Sequence, residues 1–442
     1  MYHQAQEVGR LQALARFGED IGRSLGLPAG ALGFDDWEVA LRTALRLPAG
    51  GGGAAQVNGG ARLLVLDEFT YLLLHSPELP SVLQALYDES QQSVDYPSAA
   101  VVMCGSALSV MSELLSGAKP LRGRAQLDIS ILPFDYREAA TFWGVSDPQI
   151  AFQLNAVFGG TPGYRSLVQA AAPSSLGELP EFLARSVLNP SHALFAETDY
   201  LLREDPRVRA KEAYQSILAA VAGGQSSPVG IGGVVGRDHN SLRHPLGVLV
   251  TAGFLTKRTD VLNPHRPLYY LADPIVRFEA LITTPCRALL EERDVATAWK
   301  QSAATFSSGV LGPHFEDMCR VWTRRYAQPQ LGVQVGEVGS AVLNDSEARS
   351  QHELDVVGLA RGRRGANPKV VVIGEAKSSS RPRTASDLTR LEKIRELLVK
   401  REQGKPDAIL VIFGMEGFDH TLTEACQSRG DVHLVSLEDL YA

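Results

Sequence analysis

The stretches HELDVVGL, His352–Leu359, and VVIGEAK, Val371–Lys377, decide how this chain is read. Each is an apolar run carrying charged residues at alternate positions, Glu353 and Asp355 in the first, Glu375 and Lys377 in the second. A period of two is that of a strand, whose successive side chains face opposite sides of a sheet. On neighbouring strands, Asp355, Glu375 and Lys377 can converge. Two carboxylates can hold a hard divalent cation such as Mg²⁺ through oxygen while leaving water in its shell. A lysine beside them can orient or deprotonate an attacking water, or offset phosphate charge.

This D…ExK pattern, with apolar strands around it, resembles the PD-(D/E)xK nuclease superfamily over the C-terminal third of the chain. The resemblance implies a restriction-endonuclease-like α/β domain acting on nucleic acid, with DNA expected. It also implies Asp355 and Glu375 as metal ligands, Lys377 as the catalytic lysine, and Glu316 in GPHFEDMCRVW as an extra carboxylate from the preceding helix. Phe315, Cys319, Trp322 and Tyr326 fall on one face at helical spacing, which predicts that helix. Arg361, Arg363, Arg364 and Lys369 between the two strands, with Arg381 and Arg383 after the second, are placed to meet phosphates.

A second signal is ARLLVLDEFTYLL, Ala61–Leu73. Apolar residues running straight into Asp67 and Glu68 read as a buried parallel strand ending in carboxylates, the place where open α/β sheets bind ligands. The stretch resembles a Walker B motif, in which Asp67 would hold the Mg²⁺ of ATP through water and Glu68 would polarise the hydrolytic water. AAVVMCGSALSVM, Ala99–Met111, predicts the next strand, ending at Gly105 and Ser106. PLRGRAQLDISILPFDYREAATFW, with Arg122 and Arg124, and FGGTPGYRSLV follow.

Taken in order, these segments resemble an archaeal and bacterial AAA+ ATPase family related to the STAND NTPases. Its members carry a P-loop, a Walker B strand, a sensor strand, a GR segment, a GGxP turn, a winged helix and a C-terminal nuclease-like domain. The resemblance implies ATP as ligand, Ser106 as a γ-phosphate sensor, and Arg122 or Arg124 as an arginine finger, supplied across subunits if the chain forms a homo-oligomer. The chain departs from the pattern at the P-loop, because no GxxxxGK[ST] occurs in it. PAGGGGAAQVNGG, Pro48–Gly60, lacks the lysine and leads into a strand instead of leaving one, so it reads as a flexible connection. Relative to the family, the chain is expected to start one strand and one helix late.

Between the two chemical regions, Lys211 to Asp273 reads as a winged helix. AYQSILAAVAGG is an amphipathic helix stopped by glycines, and SLRHPLGVLVTAGFLTKRT is a helix stopped by Gly253 that opens a β-wing. Pro245 is expected to kink or shorten that helix.

The net charge of −7 does not suggest a protein that coats nucleic acid through its overall field. No run approaches the roughly 20 apolar residues of a membrane span, and a cytoplasmic location is expected. Cys104, Cys286, Cys319 and Cys426 are isolated, without the spacing of a zinc site or a disulfide framework. The ten histidines form no HExxH and no convincing Ser, His, Asp order, which leaves metallopeptidase and serine hydrolase readings without support.

The expected architecture is α/β in three parts. A P-loop-NTPase-like parallel-sheet domain lacking its Walker A spans 1–200, a winged helix spans 201–285, and the nuclease-like domain spans 286–442. The expected function is an ATP-binding ATPase-family protein coupled to a Mg²⁺-dependent nuclease. The alternative is a regulatory or signalling ATPase-fold protein with a degenerate nucleotide site, whose C-terminal domain binds nucleic acid or a partner without catalysis.

Overall fold

Strand-like and helix-like stretches are spread unevenly along the chain, and the sheets follow them. The computed structural model describes residues 1–47, 62–92, 99–204, 208, 211–345, 349–362, 368–378 and 381–442, and the structural statements below concern these. The glycine-rich stretch Pro48–Gly60 and the arginines Arg363 and Arg364 lie outside the described residues. The chain divides into two compact units, Met1–Ile131 and Leu132–Ala442.

In Met1–Ile131 the strands β1 (Tyr2–Gln4), β2 (Arg62–Asp67) and β3 (Ala99–Met103) form a parallel sheet in that order. Helix Arg10–Ser24 buries Ala13, Leu14, Phe17 and Ile21, a spacing of three and four that places them along one stripe. Asp36 caps helix Trp37–Leu45 by accepting from the Glu38 and Val39 amides, satisfying donors that the first turn cannot pair internally. The stripe from the first helix meets Trp37 and Leu41 in one core with Leu64 and Leu66 of β2.

Leu132–Ala442 takes in the segment 132–200, which the sequence reading assigned to the first domain. Its helices Tyr136–Trp143 and Pro148–Phe158 share a core with helix Gly312–Arg325, Phe152 meeting Phe315 edge to face with ring centroids 6.0 Å apart. Burial, not proximity in sequence, sets that boundary.

Three helices follow, Lys211–Ala222, Pro228–Val235 and Arg243–Thr251, and then an antiparallel hairpin of β4 (Leu255–Asp260) and β5 (Asn263–Leu271). Pro245 does not kink the third helix. It sits in the first turn, where the missing N–H would have had no intrahelical acceptor. Gly253, at a φ of 83°, takes the left-handed turn that ends the helix and releases the chain into β4.

The C-terminal sheet holds β6 (Val335–Asp345), β7 (Ser350–Ala360), β8 (Val370–Lys377), β9 (Gly404–Gly414) and β10 (Val432–Ser436) in the order β10-β9-β8-β7-β6. β6, β7 and β8 run antiparallel, while β8, β9 and β10 are parallel, with helices Ala385–Lys400 and His420–Gln427 making the crossovers. β8 is buried from Val370 to Ala376, as a nearly continuous apolar strand covered on both faces should be. Trp322 of the preceding helix packs against Phe413 and clusters with Val356 and Val372. Leu388, Leu391, Ile394 and Leu398 cluster with Val357, Ile373 and Leu410. Packing is tight at Gly374, where a Cβ would lie 3.0 Å from both Phe413 and Val356 and one of them would have to give.

Candidate functional site

The acidic residues of the two opening stretches meet at the middle of the five-stranded sheet. β7 and β8 are antiparallel neighbours with Val356 opposite Gly374, so Asp355 and Glu375 continue from that pair toward the same end of the ladder. A bulge marks the spot. Gly339 faces Val357 and Ala341 faces Leu354, which leaves Asp355 and Val356 together opposite Ser340 alone. Such an extra residue breaks the strict alternation of a strand and re-aims its side chain.

Asp355 accepts from the Ala376 amide at 3.0 Å. Burial, and then the neighbouring Glu375 charge, push its carboxyl up to about 6. Glu375 is 1% exposed, and its Oε2 is buried without a hydrogen-bond partner. Its Oε1 is held by Lys377 Nζ at 3.1 Å and by Arg390 Nη1 from helix Ala385–Lys400. Lys377 is half exposed, so its ammonium is reachable by a ligand.

Glu316 lies on helix Gly312–Arg325, and the expected buried face of Phe315, Cys319 and Trp322 is present there. Burial, and then the Asp355 charge, push Glu316 up to about 7, which places the two carboxyls within electrostatic reach. Arg320, one turn on, lies 3.6 Å from Glu316 and donates to the Asp355 backbone carbonyl at 2.7 Å. Among the described residues no three His, Cys, Asp or Glu side chains gather closely enough to hold one ion together. Asp355 and Glu375 nonetheless suit Mg²⁺, which is commonly bound through one or two carboxylates and completed by water and substrate phosphate. The unpartnered Glu375 Oε2 and the raised carboxyl of Asp355 are features that a cation would satisfy.

The flanking arginines divide. Arg383 does not face solvent as a phosphate contact; it is buried and paired with Asp387 at 2.6 Å. Its place one turn before Asp387 makes it an i,i+4 partner, a pairing that its position after a strand disguised. Arg390 and Arg320 were not singled out from sequence. Glu316 and Arg320 are four apart on one helix, a signal that was present; Arg390 reaches Glu375 only through the crossover.

In Met1–Ile131, Asp67 ends β2 at the centre of its small sheet. It accepts from the Tyr2 hydroxyl and from the Glu68 amide at 3.1 Å. Glu68 sits at a φ of 51°, an uncommon conformation for a residue with a side chain, at the N-cap of helix Phe69–His75. Ser106 Oγ donates to Glu68 Oε2 at 3.4 Å, so the two strand ends expected to meet a nucleotide do come together. Arg124 makes a two-pronged contact with Asp88 at 2.8 and 2.7 Å, and Arg122 donates to the Gly117 carbonyl at 2.6 Å. Both arginines serve structure within their own unit in this state.

No family model matches the chain. An uncharacterized protein of Methanocaldococcus jannaschii is 23% identical over 240 residues, which cover 52% of this chain and 51% of that protein. The chain thus spans about half the length of the curated relative it matches. Among solved structures, a Walker-type ATPase of Pyrococcus abyssi is similar with a TM-score of 0.44 and 16% identity, over 63% of this chain and 83% of that one. The ORC1 protein of Aeropyrum pernix, solved in complex with DNA, has a TM-score of 0.27 and 13% identity, over 66% of this chain and 78% of that one. Among the described residues no helix is long and apolar enough to cross a membrane.

Proposed function

We propose that Leu132–Ala442 carries a Mg²⁺-dependent phosphodiester-cleaving centre of nuclease type, acting on DNA, and that Met1–Ile131 is an ATPase-type nucleotide domain that regulates it. The observation that carries this reading is the meeting of Asp355, Glu375 and Lys377 on adjacent central strands, next to a bulge. Asp355 and Glu375 would hold the metal, which supplies a polarised phosphate and a more acidic water. Lys377 can present its ammonium to a phosphate oxygen or orient the attacking water. The three-helix and hairpin segment, Lys211–Leu271, would act as a winged helix that carries the state of the nucleotide domain to this centre. Asp67, Glu68 and Ser106 are the residues proposed to face Mg²⁺ and ATP in the first unit.

The test is cleavage of plasmid DNA by the full chain with Mg²⁺ or Mn²⁺, comparing the native protein with Glu375→Gln. The amide keeps the size of the side chain while removing its charge. We expect a loss on the order of 10²-fold or more in rate, with the thermal midpoint within a few degrees of native. Undiminished cleavage by Glu375→Gln would sink the assignment.

One observation favours the alternative, in which the C-terminal domain binds a partner or nucleic acid without catalysis. Arg390 and Lys377 already neutralise Glu375. A living metal centre would have to bind the remaining Oε2 of a carboxylate whose charge two cations already offset, so titration of the native protein with Mn²⁺ separates the readings. Binding that disappears in Asp355→Asn supports the nuclease, and absence of binding in the native protein supports the rival.

A further inference from the structure

The hairpin of β4 and β5 reaches the acid cluster from two sides. Thr256 stands opposite Tyr270 and Arg258 opposite Leu268, so Arg258 and Tyr270 are diagonal neighbours on one face, within reach of each other as long side chains. The Arg258 guanidinium lies 5.1 Å from the centre of the Tyr270 ring, a cation over an aromatic face.

The first route runs through helix Gly312–Arg325. Arg258 donates to Asp317 at 3.0 Å, Arg320 donates to the same carboxylate at 3.1 Å, and Arg320 also donates to the Asp355 carbonyl at 2.7 Å. Asp317 and Arg320 are three apart on the helix and so are neighbours on its surface. Burial alone would raise the Asp317 carboxyl, but the charges of Arg320, Arg258 and Arg277 hold it well below the usual carboxylate range. It remains an anion between cations, and the link passes inward to Arg320, whose side chain is 5% exposed.

The second route runs through β6. The hairpin turn lies on β6 where its register shifts: the Val261 amide donates to the Ser340 carbonyl at 3.3 Å, and buried Asp260 accepts from the Val342 amide at 3.1 Å. The Tyr270 and Ser340 hydroxyls hydrogen-bond at 2.9 Å. Ser340 is the residue that stands alone opposite Asp355 and Val356. A bulge disrupts the ladder around it, and here the hairpin takes both the side chain and the carbonyl of the lone residue. The two routes start from touching side chains and end on one acid, the first at its carbonyl and the second at its bulge.

We propose that the β4–β5 hairpin positions Asp355 for metal binding, Tyr270 fixing the bulge through Ser340 and Arg258 fixing the Asp355 backbone through Asp317 and Arg320. This role rests on the reading of Asp355 as a metal ligand. A shift of the hairpin against β6 moves that ligand from two directions at once, which gives the winged-helix segment a physical means of tuning the centre.

The experiment is Mn²⁺ titration of the full chain, followed by the spin resonance of free Mn²⁺ and counting the binding that Asp355→Asn removes. Tyr270→Phe deletes one hydroxyl and keeps the ring beside Arg258, while Arg258→Met deletes the charge and keeps most of the length. Each should weaken the binding on the order of tenfold, the scale on which groups behind a metal ligand act, with the thermal midpoint within a few degrees of native. Arg258→Lys, which keeps a charge for Asp317, should recover part of the affinity. Lys257→Met, at an exposed position of β4 on the opposite face, should bind as the native protein does. If Arg258→Met fails to fold, Tyr270→Phe decides. Native affinity in Tyr270→Phe, with or without a lower thermal midpoint, overturns the role of the hairpin and leaves the metal site standing. Absence of Asp355-dependent binding in the native protein overturns the nuclease reading, and this role with it.

Discussion

Asp67 and Asp355 occupy comparable places in their sequences, each a carboxylate in or at the end of an apolar strand, and the two halves of the molecule treat them differently. Asp67 closes a strand of a three-stranded sheet whose outer member, β3, has no buried residue, Val102 being 43% exposed. Asp355 lies in a five-stranded sheet with a helix on each face, where burial and the neighbouring Glu375 raise its carboxyl. The strand signature is local, but the chemistry of the acid depends on how thickly the sheet is covered. The comparison teaches that like motifs become unlike sites when the layers around them differ.

The contrast should be plainest in stability. Trp322→Ala, which empties a fully buried site between helix and sheet, is expected to cost about 3–5 kcal/mol. Val102→Ala in the thinner sheet is expected to stay within about 0.5 kcal/mol. Urea denaturation of the two variants checks this, and comparable losses would erase the distinction between the units.

A second probe uses acidity within the larger unit. Burial pushes Asp273 up to about 6. The folded state then binds more protons than the unfolded one between about pH 4 and 6, so this group's contribution to stability falls as pH rises through that window. Burial pushes His314 down to about 4, and its Nε2 contacts Asn155 Oδ1 at 2.9 Å. Here the unfolded state binds more protons between about pH 4 and 6.5, so stability rises with pH. The two slopes oppose one another in the native protein. Asp273→Asn, which keeps an N-cap acceptor, should add a rising slope relative to native. His314→Gln, which keeps a donor toward Asn155, should add a falling one. Each change should amount to about 3 kcal/mol across the window. Unfolding curves collected from pH 4 to 7 would show it, and parallel profiles for all three proteins would remove burial as the cause.

The smallest expected effect belongs to the first unit. Arg124→Ala breaks the ion pair with Asp88, both partners being partly exposed. Only a small change in stability is expected, reduced further in high salt. A loss of several kcal/mol would mean that Arg124 supports more of that unit than one screened pair.

Much of the C-terminal sheet was legible in the chain because β8 is a run of apolar residues flanking a charged pair, and such runs have few ways to be buried. The helix carrying Glu316 was legible for a related reason, its apolar residues recurring at helical spacing. The placement of 132–200 was not legible, since Phe152 finds Phe315 only after the chain has returned from far along the sequence. The fate of Arg383 was equally hidden: a charged residue after a strand looks exposed until Asp387 is seen one turn away.

By itself the sequence determined which residues can do chemistry and which segments are strand or helix, because residue type and period act over a few positions. Only the tertiary structure decided which of those residues share a site. The bulge that leaves Asp355 opposite Ser340 depends on the register of two strands. The clasp of Arg390 on Glu375 depends on a crossover helix, and the contact of Phe152 with Phe315 on segments more than a hundred residues apart. Side-chain partners, and with them charge and acidity, are set by three-dimensional packing, which no short window of sequence contains.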